Sequence, residues 1–357
     1  MARSIAQTDG APGLSSSAKS AGRSGLIQAA STGRPRMKKS SSESSLDAME
    51  DEIQDQIKQI PRFAKELGHL GAYRNLDFSK IIFTGSGDSF ASALFAQAIS
   101  KGRAIAADPY EIYLAPDRVR GKTLFLISVS GRTKTNVKLA RRVKGLAENR
   151  VAITANPASP LAKECDDTLQ LHYTSRGVLT SGTVSFTTSL LAVASLTTEL
   201  PSHIDLRNVE ERASQWANRV TKARGKAFLF IGSGIGYAIA AYGAFKIHEV
   251  LGFKAEYQYP EQVGHSQLFS IRKKADSIIS VALGPDINTR RIFRALSEAG
   301  FRPQIVRSVS SHPVLAALDA ALNVQHLALG LARRLGLREC AFLLDKARLG
   351  LSNRLIY

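Results

Sequence analysis

The sequence predicts an α/β fold: two doubly wound parallel sheets (flavodoxin-like) in tandem, preceded by a disordered basic tail. Three observations carry this. From residue 46 onward, short apolar runs alternate with helical patterns, as parallel sheets with crossover helices require. Several runs end in turns rich in glycine and hydroxyls that open a helix. The order then repeats: Phe83-Thr84-Gly85-Ser86-Gly87 returns as Phe230-Ile231-Gly232-Ser233-Gly234, at a period of about 150 residues, too long for a solenoid. The expected division is a tail over residues 1–45, a first domain over 46–203 and a second over 204–357.

Residues 1–45 are rich in Ser, Ala and Gly, carry Arg3, Lys19, Arg23, Arg34, Arg36, Lys38 and Lys39, and show no apolar period. That composition cannot bury enough apolar surface to order a chain. From Leu46 the pattern changes. Met49, Ile53, Ile57, Ile60 and Phe63 recur at three- and four-residue steps, with Asp47, Glu50, Asp51 and Glu52 in the first turns. This is an amphipathic helix whose charges suit its dipole, expected to pack on the first domain. Lys80–Phe83 reads as a strand, then Gly85–Ser89 as a turn, then a helix through Phe95 and Ile99. Thr123–Val129 is a second strand, followed by Ser130–Thr133 and a helix with Val137, Leu139 and Val143. Arg150–Thr154 is a third strand, with a short helix near Leu161 after it. Leu169–His172 is a fourth, and a long helix over about Val184–Glu199 closes the half. Pro201 breaks the chain, and Asp205–Ala223 is a linking helix around Trp216. The second round has strands at Ala227–Ile231, Ser277–Leu283 and Gln304–Ser308. Its helices run through Phe245 and Val250, through Ile292 and Leu296, and onward from His312-Pro313.

Composition removes several function classes. With 44% hydrophobic residues the chain can build a sizeable core, which excludes a mostly disordered protein. No apolar run approaches the roughly 18–20 uncharged residues of a membrane helix, and the first thirty residues lack a secretory h-region. Two cysteines, Cys165 and Cys340, exclude a disulfide scaffold and a Cys-rich zinc site, so a reducing cytoplasm is expected. The net charge of +18 invites a nucleic-acid reading, but part of the excess is local to the tail, and an anionic small substrate is also drawn to a basic surface. No basic–aromatic interleaving suggests base stacking, so nucleic acid is not expected as a partner, and neither is a membrane. The remaining histidines show no H-E-x-x-H spacing, and no metal or other cofactor is expected.

Chemistry should sit in the strand-to-helix loops, because ligands of such sheets bind at the carboxyl ends of the strands. Gly85–Ser89 brings backbone N–H groups to a helix N-terminus, yet it is neither a G-x-G-x-x-G nor a Walker A loop. Ser128-Val129-Ser130-Gly131-Arg132-Thr133-Lys134-Thr135 is sharper. It gathers four hydroxyls, a glycine and two cations at one junction, which is what a phosphate needs. Thr180-Ser181-Gly182-Thr183 adds hydroxyls before the long helix.

Ser128–Thr133 resembles the S-x-S-G-x-T loop of SIS (sugar isomerase) domains, and the repeated G-S-G turn belongs to the same pattern. The second half resembles the isomerase domain of glucosamine-6-phosphate synthases. Gly243-Ala244-Phe245-Lys246-Ile247-His248-Glu249 looks like a G-A-x-K-x-K-E helix, and Glu261-Gln262-Val263-Gly264-His265 lies where that family has E-L-x-H, with one extra residue here. The archaeal bifunctional phosphoglucose/phosphomannose isomerases are similar in their tandem plan. The resemblance implies a homodimeric, cytoplasmic phosphosugar aldose–ketose isomerase working through a cis-enediol. In it Ser86, Ser128, Ser130, Gly131, Arg132 and Thr133 would hold the phosphate, and Gly85, Gly87, Ser89 and Ser181 would line the substrate. Glu261 would be the base and His265 the ring-opening acid, since a carboxylate is the natural shuttle between C1 and C2. Glu249 matches a family acid or is a core ion pair with Lys246. Lys346 lies where the family has a lysine that assists the open-chain sugar, or is a surface residue. The second-half loop Ala282-Leu283-Gly284-Pro285-Asp286 replaces hydroxyls with an acid, so one phosphate site per chain is expected. The chain opens Met-Ala-Arg with no nucleophilic Cys, so ammonia transfer from glutamine is not expected. Two alternatives stand beside the isomerase: an amino-sugar phosphate deaminase or ammonia-dependent synthase, and a non-enzymatic phosphosugar-binding regulator.

Overall fold

In the computed structural model, which describes residues 43–68, 77–220 and 227–357, the first set of apolar runs forms β1 (Ile81–Gly85), β2 (Ile105–Ala107), β3 (Thr123–Ile127), β4 (Asn149–Thr154) and β5 (Asp167–Gln170). These pair in parallel in the order β2-β1-β3-β4-β5. The second set, β6 (Ala227–Gly232), β7 (Lys254–Gln258), β8 (Asp276–Val281) and β9 (Gln304–Val306), forms another parallel sheet in the order β7-β6-β8-β9. The tail expected over residues 1–45 lies, up to residue 42, outside the described residues. Two strands were not anticipated: β2 is three residues long, and β7 reads Lys-Ala-Glu-Tyr-Gln. Both are edge strands, where partial exposure weakens the apolar signature. The strand expected at Leu169–His172 pairs two residues earlier, as β5.

Every central strand is apolar on both faces, because helices cover both sides of each sheet. The pleat sorts the side chains with period two. Ile81, Phe83, Phe125, Ile127, Val151 and Ile153 face an inner core. Ile82, Leu124, Leu126 and Ala152 face outward against α3 (Pro109–Leu114), α4 (Lys134–Arg142) and α5 (Pro160–Glu164). In the second sheet Phe228, Phe230, Ile279 and Val281 join the same inner core. Leu229, Ile231 and Ile278 pack outward against Val263 of α9 (Pro260–His265) and Leu296 of α10 (Ile287–Glu298).

The inner core holds α2 (Asp88–Ile99), α6 (Val184–Thr197), α8 (Ile235–Lys246) and α11 (Pro313–Arg334). These helices are apolar on several sides, as buried helices must be. Small residues let them pack closely: Ala91, Ala93 and Ala96 in α2, and Ala238, Ala240, Ala241 and Ala244 in α8, are all buried. α11 is long and apolar enough to cross a membrane by length and composition, although Asp319 interrupts its uncharged run. However, 89% of its most apolar window is buried inside the protein. α1 (Ser45–Leu67) starts from a capping box between Ser44 and Asp47 and lays Leu46, Met49, Ile53, Ile60 and Phe63 into the same layer. α7 (Arg207–Val220) packs on α11, and α12 (Ala341–Leu344) and α13 (Lys346–Ile356) end the chain. Cys340 is buried and Cys165 half-buried, both as free thiols.

Gly243 of α8 has a strict packing role. A Cβ there would lie 2.5 Å from the ring of fully buried Phe230, which has no space to move into. Gly243→Ala is therefore expected to cost about 1–3 kcal/mol through overpacking. Urea unfolding checks this, and an unchanged midpoint would contradict the packing described.

Candidate functional site

The chain leaves β1 toward β2 on one side and β3 toward β4 on the other, so the ends of β1 and β3 form a topological switch point. Two loops meet there, 85–89 and 128–133. In the second loop Gly131 has φ +61°, and a Cβ on it would sit 2.0 Å from Ser159 Oγ and 2.9 Å from Thr154 Oγ1. Only glycine fits. The turn is closed by Gly131 N donating to Ser128 O at 2.9 Å and by a 3.1 Å contact between the Ser128 and Thr133 hydroxyls. Arg132 N also donates to Ser130 Oγ at 3.3 Å. Thr133 precedes α4 without capping it through its side chain, so the first N–H groups of α4 remain available to an anion. The same holds for α2 behind Gly87, where Ser86 and Gly87 are exposed. Gly85 allows the tight turn against Ser89, whose Cβ would lie 2.7 Å from a Cβ at position 85.

The matching switch point of the second sheet, at the ends of β6 and β8, is built alike. Gly87 and Gly234 start α2 and α8 with nearly the same backbone, φ 58°, ψ −129° and φ 54°, ψ −127°. Its anion position is filled from within. The Asp286 carboxylate accepts from Ser233 N at 3.2 Å and from Thr289 N at 2.9 Å. This is how the acid of the 282–286 loop displaces an external anion: it takes the donors itself.

Where the two halves meet, the inner core contains a charge. Lys246, the last residue of α8, has a fully buried side chain. Its Nζ donates to Asp88 Oδ2 at 2.8 Å and to Ser181 Oγ at 2.7 Å, and it pairs with Glu249. Glu249 sits on a single π-helical turn, Ile247–Leu251, and also accepts from Ser181 Oγ at 2.6 Å. Single π turns of this kind occur frequently at functional sites. The 181–183 backbone is held in turn by Tyr242, whose hydroxyl donates to Gly182 O at 2.8 Å and accepts from Gln325 Nε2 at 3.1 Å. Gln325 accepts from Gln56 of α1 at 2.7 Å. Gly182 is required here too, since a Cβ would lie 2.7 Å from Asp88 Oδ2. Burial pushes the Asp88 carboxyl up to about 7, with the nearby Glu249 charge adding to it and Lys246 opposing it. Burial works against the Lys246 charge, but Asp88 and Glu249 outweigh it and hold the ammonium above its ordinary range.

Asp88, Thr180, Gly182 and Glu249 form one wall of a cleft of about 530 Å³, and Arg348 and Tyr357 of the C-terminal segment belong to the other. That segment also meets the 128–133 loop. The Arg132 guanidinium lies 5.5 Å from the Tyr357 ring centre, and Lys134 Nζ donates to Arg354 O at 3.1 Å. The loop with open donors and the Lys246 cluster therefore flank one structural element.

Of the residues singled out from sequence, Ser86, Ser128, Ser130, Gly131, Arg132 and Thr133 lie together with Gly85, Gly87 and Ser89 at the first switch point, and Ser181 lies in the Lys246 cluster. Glu261 and His265 lie elsewhere. Both are on α9, 3.5 Å apart, 63% and 74% exposed, and Glu261 is 3.9 Å from Arg291. Lys346 is exposed at the start of α13, and the cation of that helix that borders the cleft is Arg348. Asp88 was not singled out from the sequence, and Lys246 only as an ion-pair partner of Glu249. Asp88 directly follows the G-S-G turn, and that adjacency was the available signal. Replacing Lys246 by Met leaves Asp88 and the partly exposed Glu249 without the buried cation they share, a loss expected to cost about 3–5 kcal/mol. Asp88, whose carboxyl burial pushes up on folding, binds its proton more tightly in the folded state, so the deficit should shrink as pH is lowered. Urea unfolding across pH measures this, and a deficit that does not change with pH would count against the pairing.

Among known proteins, a glutamine–fructose-6-phosphate aminotransferase (isomerizing) from Pyrococcus horikoshii is 26% identical over 295 residues, covering 75% of this chain and 47% of that protein. The chain thus spans about half the length of this relative. The fold is shared with the C-terminal domain of glucosamine-fructose-6-phosphate aminotransferase from Francisella tularensis (TM-score 0.68, 19% identity, 81% of this chain and 96% of that one). It is also shared with tagatose-6-phosphate ketose/aldose isomerase from Escherichia coli (0.65, 19%, 81% and 94%) and glucosamine-6-phosphate deaminase from Thermotoga maritima (0.64, 20%, 82% and 96%). The segment that carries the first switch point, residues 77–199, matches the SIS domain family.

Proposed function

We propose that this protein binds a hexose 6-phosphate and interconverts its ketose and aldose forms through a cis-enediol. The observation that carries the reading is the contrast between the two switch points. The first presents hydroxyls and uncapped helix N–H groups beside a cleft bordered by a carboxylate held on a buried lysine; the second is closed by Asp286. Ser86, Ser128, Ser130, Gly131, Arg132 and Thr133 hold the phosphate through charge-assisted hydrogen bonds. Gly85, Gly87 and Ser89 shape the turn, and Ser181 orients Glu249. The names of the relatives, which handle fructose, tagatose and glucosamine 6-phosphates, support a sugar phosphate as ligand.

Glu249 borders the cleft, and we assign it the transfer of the proton between C1 and C2. Glu261 and His265, exposed on α9, are assigned to ring opening on the substrate of a second copy in a homodimer. In this reading residues 46–203 and 204–357 are two SIS domains in tandem, and Lys346 serves at the rim.

The test is conversion of fructose 6-phosphate to glucose or mannose 6-phosphate. Glu249→Gln is expected to lower kcat by about 10²–10⁴-fold, the usual contribution of a positioned acid–base group. Ser128→Ala with Thr133→Val is expected chiefly to raise KM. Full activity in Glu249→Gln with loss in Glu261→Gln would move the shuttle to Glu261. Product formation only with added ammonia would favour an amino-sugar reaction, as in the aminotransferase and deaminase relatives. Binding without turnover would make the protein a phosphosugar sensor.

A further inference from the structure

Building on the isomerase reading, we infer that Asp88 carries the hydroxyl proton of the substrate, opposite Glu249, which carries the carbon-bound one. Asp88 opens α2 directly after Gly87 and borders the cleft. Its two oxygens are used unequally: Oδ2 accepts from Lys246 Nζ at 2.8 Å, while Oδ1 is buried and has no partner among the described residues. Leaving a buried acceptor unmet costs about 1–3 kcal/mol. At a cleft wall, such an oxygen fits a donor brought by the ligand, and a sugar hydroxyl is such a group.

The charges around it give Asp88 the means to exchange a proton. It faces Lys246 and Tyr242 of α8, Glu249 of the π turn, and Ser181 and Gly182 of the loop. Asp345 and Arg348 stand on the opposite wall. Two carboxylates share one ammonium, so the buried group carries a net negative charge, and one further proton is readily taken up by the pair. Burial and Glu249 place that uptake on Asp88 near neutrality, where a general acid–base group works best. Lys246 keeps its proton and holds both carboxylates in position.

The reaction then balances. Starting from the open-chain ketose, Glu249 removes a proton from C1, the C1–C2 double bond forms, and protonated Asp88 gives its proton to O2. In the enediol, Asp88 takes the proton from the O1 hydroxyl, the C1–O1 carbonyl forms, and Glu249 returns its proton to C2. Both side chains end as they began.

Asp88→Asn keeps the shape and leaves Lys246 paired with Glu249. With fructose 6-phosphate as substrate, kcat is expected to fall by about 10²–10⁴-fold with inorganic phosphate binding unchanged. Wild-type kcat/KM is expected to show an inflection near neutral pH that is absent from the residual activity of the variant. A merely structural role would scale the activity and leave that inflection in place, and this result would overturn the inference. If the variant does not fold, infrared spectra of the wild-type protein decide. A protonated-carboxyl band that titrates near neutral pH and shifts on adding fructose 6-phosphate is expected, and its absence overturns the inference. Wild-type protein that binds fructose 6-phosphate but never isomerises it would instead reject the function on which the inference rests.

Discussion

A lysine ammonium with no exposure to water, Lys246, is the constraint around which the two halves are arranged. A buried cation is tolerated only when anions and hydrogen-bond acceptors surround it with good geometry. Here they come from three separate places: Asp88 at the start of α2, Ser181 before α6 and Glu249 on the π turn after α8. The requirement draws the first sheet's loop, the connection between the halves and the end of α8 into one place. Each neighbour is then tuned to it. Gly182 has no side chain because Asp88 needs the room, and Tyr242 stacks on Phe186 at 3.6 Å while its hydroxyl pins Gly182. A charge inside an otherwise apolar, alanine-rich helical layer is costly for stability, and such costs concentrate where function needs them.

The two switch points show how one plan is put to two uses. Both place a glycine-rich turn and a helix N-terminus at the end of a central strand. In the second, a single carboxylate, Asp286, satisfies the donors and converts an anion-receptive end into a closed structural junction. In the first, the donors stay open, and cations Arg132 and Lys134 reach the C-terminal segment that also borders the Lys246 cleft. The asymmetry, and not the fold, is what points to a single ligand.

Much of this was legible in the sequence because the signals are local. Central strands are continuous apolar runs, the G-S-G turns mark where they end, and the hydroxyl cluster of 128–133 sits within eight residues. The edge strands β2 and β7 were not legible, since their half-exposed positions carry polar residues such as Lys254 and Glu256. The Lys246 cluster was hidden for a different reason. The Lys246–Glu249 pair is readable from its spacing, but Asp88 is 158 positions from Lys246, and nothing local announces that packing brings it to the same ammonium. Glu261 and His265 carry a different kind of signal. Their i,i+4 spacing makes a conspicuous pair in the sequence, while the fold leaves both largely exposed on α9. Spacing along the chain reports that two groups are near each other, not that they are near a ligand.

One spatial relation is central to the proposed reaction: a phosphate held at residues 128–133 leaves the far end of its sugar between Asp88 and Glu249. A crystal structure with fructose 6-phosphate tests it most directly. The expected result is phosphate density on the Ser128, Ser130 and Thr133 hydroxyls, with C1 and C2 against the Glu249 carboxylate, O1 and O2 within hydrogen-bonding reach of Asp88, and the Asp286 junction unchanged. Phosphate bound at the 282–286 loop, or a sugar directed away from Lys246, would contradict it.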